Sequence, residues 1–233
     1  MTFSKVLVAG VAAILVISAI FLIWPQIDLA VTGLFYDGTG FPWETAAPVS
    51  QFIRAILWDI SILMPVLALV LLVVSLVRRK PVLLPARIWA FVLALFVVGP
   101  GLIVNGILKS YWGRARPYMV TEFGGEARFT PPWQITDQCA RNCSFVSGEG
   151  AGSMAMAISV LLILFLLRKR LSALAYRAGQ GATLAMLAFA GFQRVAAGRH
   201  FLSDVLLSWL FVGVIALVLA RFMLARLPAD PRP

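Results

Sequence analysis

The chain contains a single histidine, His200, and the residues around it suit a nucleophile for phosphoryl chemistry. Arg194 lies six positions before it and Asp204 four positions after it. Residues at i and i+4 share a helix face, so Asp204 is placed to hold the imidazole in one tautomer and orientation. Arg194 supplies a planar, permanently charged fork that matches phosphate oxygens. Two upstream segments carry related chemistry. The run Lys109-Ser-Tyr-Trp-Gly-Arg114-Ala-Arg116-Pro117 gathers three cations, and Cys143-Ser-Phe-Val-Ser147-Gly148-Glu149-Gly-Ala-Gly-Ser153 opens an apolar stretch. Ser147-Gly148 ahead of a helix presents backbone N–H groups and the positive dipole end to an anion. Lys109, Arg116 and Arg194 carry the charge needed to clamp the equatorial oxygens of a transferring phosphoryl group.

Elements that hold such a site must be membrane helices. Of the 233 residues, 61% are hydrophobic and 13% charged, and the mean hydropathy is +0.92. A soluble domain carries about 25% charged residues. The net charge of +10 would point to nucleic acid in a soluble protein. Here, basic loops on one membrane side and an anionic lipid substrate account for it, and no nucleic acid partner is expected. No linker, repeat or low-complexity segment divides the chain, so 1–233 reads as one domain.

A span needs roughly 20 apolar residues, and six segments qualify: 6–24, 52–77, 88–108, 150–167, 180–198 and 201–220. The expected fold is therefore an all-α bundle of six transmembrane helices. The first apolar run is longer than a signal-peptide core and no small-residue cleavage site follows before Trp24-Pro25, so it reads as a retained span. A tight turn around Ala197-Gly198 must join the last two. Arg78, Arg79, Lys80 and Arg87 lie in one loop, Arg168, Lys169, Arg170 and Arg177 in another, and Arg221, Arg226 and Arg232 in the tail, with Asp230 the one acid among them. By the positive-inside rule these regions, and both termini, are cytoplasmic. Lys109, Arg116, Glu149 and the Arg194–His200 turn then fall on the opposite side with Asp28, Asp37, Glu44, Glu122, Glu126 and Asp137. Trp24, Trp43 and Trp112 fit an interfacial belt there. Cys139 and Cys143 lie in the same outer loop, where an oxidising compartment would let them close a small disulfide. Two free thiols are the alternative, and there is no further Cys or spare His to complete a zinc shell.

These residues resemble the type-2 phosphatidic acid phosphatase family, whose site is shared with vanadium haloperoxidases. The family pattern Lys-x6-Arg-Pro is matched at Lys109, Arg116 and Pro117. The pattern Ser-Arg-x5-His-x3-Asp is matched at Arg194, His200 and Asp204, with Gln193 in place of serine. Pro-Ser-Gly-His is matched only at Ser147 and Gly148, since Val146 replaces proline and Glu149 replaces histidine. The resemblance implies that His200 attacks phosphorus to form a phosphohistidine with Asp204 orienting it. It implies that Lys109, Arg116, Ser147, Gly148 and Arg194 bind the phosphate, and that neither a metal nor another cofactor takes part. It further implies a bacterial inner-membrane enzyme, multi-pass, with its site facing the periplasm. The substrate would be a lipid phosphate among the membrane lipids: a lipid A phosphate, a polyprenyl diphosphate or phosphatidylglycerophosphate. The run from Trp112 to Pro117 is similar to a lipid A 1-phosphatase branch. A lipid-to-lipid phosphotransferase with the same nucleophile and a non-catalytic lipid-binding or transport protein are the alternatives.

Glu149 stands where the family has the general acid for the leaving alkoxide, and three readings remain open. It is an acid whose proton is retained by burial, against the pull of nearby arginines. Or it orients Arg199 or the attacking water. Or the leaving group needs little protonation, as when a diphosphate is split. Arg114 and Arg199 are extra cations, either contacts to a headgroup or second phosphate or interfacial charges. Arg54 and Asp59 are charges within span two to which no catalytic role is given, paired with each other or with another span. Asn105 is expected to bond across helices, and the small residues from Gly148 to Ala155 to allow close packing.

Overall fold

The computed structural model describes residues 2–225, and these are all-helical, with no β-strand among them. The elements are α1 (Phe3–Ile23), α2 (Gln26–Gly33), α3 (Pro42–Thr45), α4 (Pro48–Arg78), α5 (Ala86–Tyr111), α6 (Gly148–Leu167), α7 (Ala173–Ala196) and α8 (Leu202–Met223). Five of them, α1, α4, α5, α6 and α8, are long and apolar enough to cross a membrane. The segment expected as a span at 180–198 is the 24-residue helix α7. At 1.5 Å per residue it is long enough to span. It falls short in apolarity because its first half carries Tyr176, Arg177, Gln180 and Thr183.

α6 is the central element and packs on α4, α5, α7 and α8, while α1 lies along α8 and α4 along α5. Its small residues Gly148, Gly150, Ala151, Gly152, Ser153, Ala155 and Ala157 are all buried, so neighbouring helices approach its backbone closely, as the sequence led us to expect. The core against it is built from Ile88, Phe91, Val92, Leu95, Val104, Met156, Leu207 and Val212. The basic loops gather at one end of the bundle. Arg78 ends α4, Arg79 and Lys80 follow it, and Arg168, Lys169 and Arg170 follow α6. The Arg221 guanidinium lies over the Phe3 ring at 5.8 Å, which puts the start of α1 and the end of α8 at that same end. Arg226, Asp230 and Arg232 lie outside the described residues.

At the other end, α2, α3 and the segment 112–147 form a cap with its own small core of Phe41, Ala115, Val120, Phe123 and Phe201. Cys139 and Cys143 are joined as a disulfide in this cap. Within α5 the chain widens into π-helical turns over Val97–Leu108, around Pro100. Proline has no N–H to donate and its ring crowds the preceding turn, and a wider turn is one way to absorb this. One result bears on the site. Asn105 does not bond across helices as expected; its amide donates to the Pro100 carbonyl of its own helix at 2.7 Å.

Candidate active site

Four elements end at one cavity of about 540 Å³, lined by Glu44, Arg54, Trp58, Asn105, Lys109, Arg116, Asn142, Gly148, Glu149, Arg194, Arg199 and His200. Lys109 comes from the last turns of α5 and Arg194 from the last turn of α7. Gly148 and Glu149 open α6, and His200 precedes α8. Each sits at a helix end because a charge is tolerated there, near the interface, and not in the middle of a span.

The cap directs Arg116. Gly113 turns with φ +67, and a Cβ there would run into the Thr136 carbonyl, so only glycine fits the corner. Beyond it the chain runs extended, and Arg116 Nε donates to the Asn142 carbonyl at 2.9 Å. Asn142 lies inside the small loop closed by the Cys139–Cys143 bond, so the disulfide braces the backbone that holds Arg116.

His200 is 2% exposed. The linker from α7 folds back through Gly198, φ +63, and the N–H groups of Arg199 and His200 both donate to the Arg194 carbonyl at 3.0 and 3.1 Å. The ring nitrogen Nδ1 stands 2.8 Å from the Ser144 carbonyl. A carbonyl only accepts, so Nδ1 carries the proton and Nε2 keeps its lone pair. The expected partner, Asp204, is 3.9 Å from Nδ1. Ser144 also reaches it, its hydroxyl donating to Asp204 Oδ2 at 2.5 Å. Asp204 Oδ2 also accepts from the Phe201 N–H at 3.0 Å, closing the first turn of α8. Burial above all pushes the His200 imidazole down to about 4, and the cations Lys109 and Arg116 add to this while Asp204 opposes it. The ring is therefore neutral across the physiological range, the form a nucleophile needs.

Several expected positions change. Arg114, read as either a headgroup contact or an interfacial charge, is fully buried. Its Nη1 donates to Asp204 Oδ1 at 2.6 Å, its Nη2 to Asp28 Oδ2 at 2.8 Å and its Nε to the Thr130 carbonyl at 2.8 Å. Its guanidinium also lies over the Phe201 ring at 4.5 Å. A cation placed between two carboxylates has nothing left for a ligand. Arg114→Met should leave both acids buried without a counter-ion, which costs about 3–5 kcal/mol. A thermal-unfolding midpoint in detergent that stays where it was would contradict this. Ser147, read as a phosphate ligand, is buried outside the cavity lining and caps α6, its hydroxyl oxygen accepting the Gly150 N–H at 3.0 Å. The same hydroxyl still carries a proton that it can donate. Arg199 does line the cavity, paired with Glu44 at 2.5 Å and lying over the Tyr118 ring at 5.0 Å.

Two charged lining residues, Arg54 and Glu44, are additions to the expected set. Arg54 does not pair with Asp59, which lies on the exposed face of α4. It makes a two-pronged contact to Glu149, Nε to Oε2 at 3.0 Å and Nη2 to Oε1 at 2.6 Å. Glu149 Oε1 also accepts from Arg194 Nη1 at 3.0 Å. On its other side, Arg194 is held by the Gln193 side chain, which takes both Nε and Nη2. Glu149 thus joins α4, α6 and α7, and its contact is to Arg54 and Arg194 and not to Arg199. The sequence signal for Arg54 was its position: a cation inside a span needs a counter-charge, and Glu149 is a carboxylate in the first turn of another.

Beside the polar cavity runs an apolar groove of about 680 Å³ between α4 and α5, lined by residues such as Ile62, Val66, Val97 and Leu102 and sharing Trp58, Asn105 and Gly148 with it. Polar groups able to bind an anion therefore adjoin a surface able to take a hydrocarbon chain.

Comparison with known proteins gives a consistent picture. The family model described as the PAP2 superfamily matches residues 87–228. A lipid A 4'-phosphatase of Francisella tularensis subsp. novicida (strain U112) is 31% identical over 207 residues, covering 87% of this chain and 89% of that protein. A lipid A 4'-phosphatase of Rhizobium leguminosarum is 30% identical over 207 residues, covering 82% of this chain and 85% of its own. A crystal structure described as the first transmembrane PAP2 type phosphatidylglycerolphosphate phosphatase from Bacillus subtilis superposes with a TM-score of 0.59 at 18% identity. It covers 96% of this chain and 98% of the other, so the fold is shared.

Proposed function

The chain belongs to the PAP2 superfamily, and from that premise we propose that it is a membrane lipid phosphatase that removes the 4'-phosphate of lipid A. The observation that carries the reading is the meeting of a neutral His200 with Lys109, Arg116 and Arg194 in one cavity that opens beside an apolar groove. The curated relatives favour the 4'-position over the 1-position that the Trp112–Pro117 run suggested.

In this mechanism the phosphate enters among Lys109, Arg116 and Arg194 with the Gly148 backbone beneath it. His200 Nε2 attacks phosphorus, the P–O bond to the sugar breaks with its electron pair going to the sugar oxygen, which takes a proton from water in the cavity, and a phosphohistidine remains. The positive charge on the ring is met by the Ser144 carbonyl and by Asp204 behind it. Water then attacks phosphorus and releases inorganic phosphate, returning the electron pair to Nε2. Glu149 serves as a carboxylate that sets Arg194 and Arg54 in place, and the step proceeds without a metal. Both acidic side chains of the cavity, Glu44 and Glu149, are already held by arginines, which supports that reading of the donor set. Positive-inside bias supports α7 as the sixth span, both termini in the cytoplasm and the cavity on the periplasmic side of the inner membrane.

Purified protein in micelles, offered lipid A phosphorylated only at the 4'- or only at the 1-position, polyprenyl diphosphate and phosphatidylglycerophosphate, tests the reading. Free phosphate from the 4'-substrate, undiminished by a chelator, is expected. Release from none of the four defeats the enzyme reading, and label recovered on an added lipid acceptor shows transfer instead.

A further inference from the structure

Asp28 is the one carboxylate of the cap that is wholly enclosed, at 0% exposure in the short helix α2. Three donors converge on it: the Ser203 N–H at 2.9 Å to Oδ1, the Ser203 hydroxyl at 2.5 Å to Oδ2, and Arg114 Nη2 at 2.8 Å to Oδ2. Burial pushes its carboxyl up from the ordinary range, against the pull of Arg114 and Ser203. All three contacts are donors and none takes a proton from it, so the pocket is built for the ionised form.

The consequence lies on the other side of Arg114. Asp204 alone beside that guanidinium would form a neutral pair, and its charge would be cancelled as seen from His200. Asp28 shares the same guanidinium, so two carboxylates divide one cation and a negative charge is left over. We infer that Asp28 is a positioning residue for His200: by occupying Arg114 from behind, it keeps Asp204 electrically effective toward the imidazole when that ring takes on phosphorus and becomes cationic. The inference rests on the reading of His200 as the nucleophile. The other charged groups around the same cavity are Glu44 from α3, Arg54 from α4, Lys109 from α5, Arg116 from the cap, Glu149 from α6, and Arg194 and Arg199 at the end of α7. None of them touches Asp28, so a change at Asp28 reaches His200 through Arg114 and Asp204.

His200 is the chain's one histidine, so histidine labelled with ¹⁵N gives one imidazole to observe and no assignment is needed. Burial pushes the ring down to about 4 in the unmodified protein, so the titration is followed through that pH. In Asp28→Asn the protonated-to-neutral ratio at that pH should fall by about tenfold, one pKa unit. For the lipid phosphate, kcat should fall about tenfold with KM within about threefold, because charge is lost where the transition state needs it and not where phosphate binds. Asp28→Glu, which retains the charge, should keep the His200 titration and most of kcat. A folded Asp28→Asn protein whose imidazole titrates unchanged overturns the inference, whatever its activity. If neither variant folds, Asp28 serves the architecture and the inference falls as well. Phosphate release by the unmodified protein tests the enzyme reading separately, and the imidazole titration is read with no turnover.

Discussion

His200→Ala is expected to lose phosphate release by on the order of 10³-fold or more in kcat, the scale seen when a covalent nucleophile is removed. No other side chain of the cavity can take its place. The two carboxylates there, Glu44 and Glu149, are pinned by Arg199 and by Arg54 with Arg194, and the rest are cations, amides, a glycine and Trp58. Alanine also strands the Ser144 carbonyl that Nδ1 now satisfies, a cost of about 1–3 kcal/mol. His200→Gln is therefore the better-matched variant, with an amide donor for that carbonyl and no nucleophilic nitrogen. Both variants should be equally inactive, with the Gln protein unfolding at the higher temperature. Rapid quenching into base after mixing with labelled substrate should find phosphate bound to the unmodified chain and to neither variant. In a protein with a single histidine, that adduct has one address. Activity from the Gln variant within tenfold of the unmodified enzyme sinks the phosphohistidine mechanism.

The titration of the ring gives the same mechanism a pH signature. A neutral imidazole is required, and His200 stays neutral down to about 4. The acid limb of kcat/KM assigned to this group should lie near that value, well below the ordinary histidine range of about 6.5. The folded ring binds its proton less readily than the unfolded one. This contribution to stability is therefore complete above about 6.5 and is lost as pH falls from there toward about 4.

Which parts of this site could be read from the chain alone follows from how far each interaction reaches. Lys109, Arg116, Arg194, His200 and Asp204 announce themselves because fixed spacings at the ends of apolar runs restrict where they can lie. Arg54 with Glu149, Arg199 with Glu44 and Asp28 with Arg114 are separated by 95, 155 and 86 positions. No periodicity encodes such pairs; they exist only once the helices pack. Arg114 was misread for a related reason. Its type and position suited the mouth of the site, and only the cap core around Phe201 and Phe129 shows that it points inward. Apolarity alone does not mark α7 as a span, because Tyr176, Arg177 and Gln180 interrupt one half of it and Gln193 and Arg194 the other. Its small residues Gly179, Gly181 and Gly191 depress the apolar signal without preventing a helix.

The second large effect concerns Glu149, the residue that departs from the family pattern. Its two oxygens hold Arg54 and Arg194, and Arg194 is 5% exposed at the side chain against 32% for Arg54. The carboxylate therefore sits where a phosphate oxygen would also be drawn, and it competes with the substrate for Arg194 while aiming that side chain. Glu149→Gln should separate these effects. Inorganic phosphate should inhibit at about tenfold lower concentration, equal to about 1.4 kcal/mol of relieved competition, and kcat should fall about 10–100-fold as Arg194 loses its aim. Phosphate should also raise the unfolding temperature of the variant more than that of the unmodified protein, since the anion replaces the missing counter-charge. The choice between aiming and proton donation is made by the leaving group. A general acid matters little when an activated aryl phosphate departs, because that oxygen leaves without a proton. If Glu149 aims Arg194, the loss in kcat is the same for aryl phosphate and for lipid A. If the loss disappears with the aryl substrate, Glu149 is the acid after all, and phosphate, by drawing Arg54 and Arg194 away, lets its carboxyl take up the proton that it then donates.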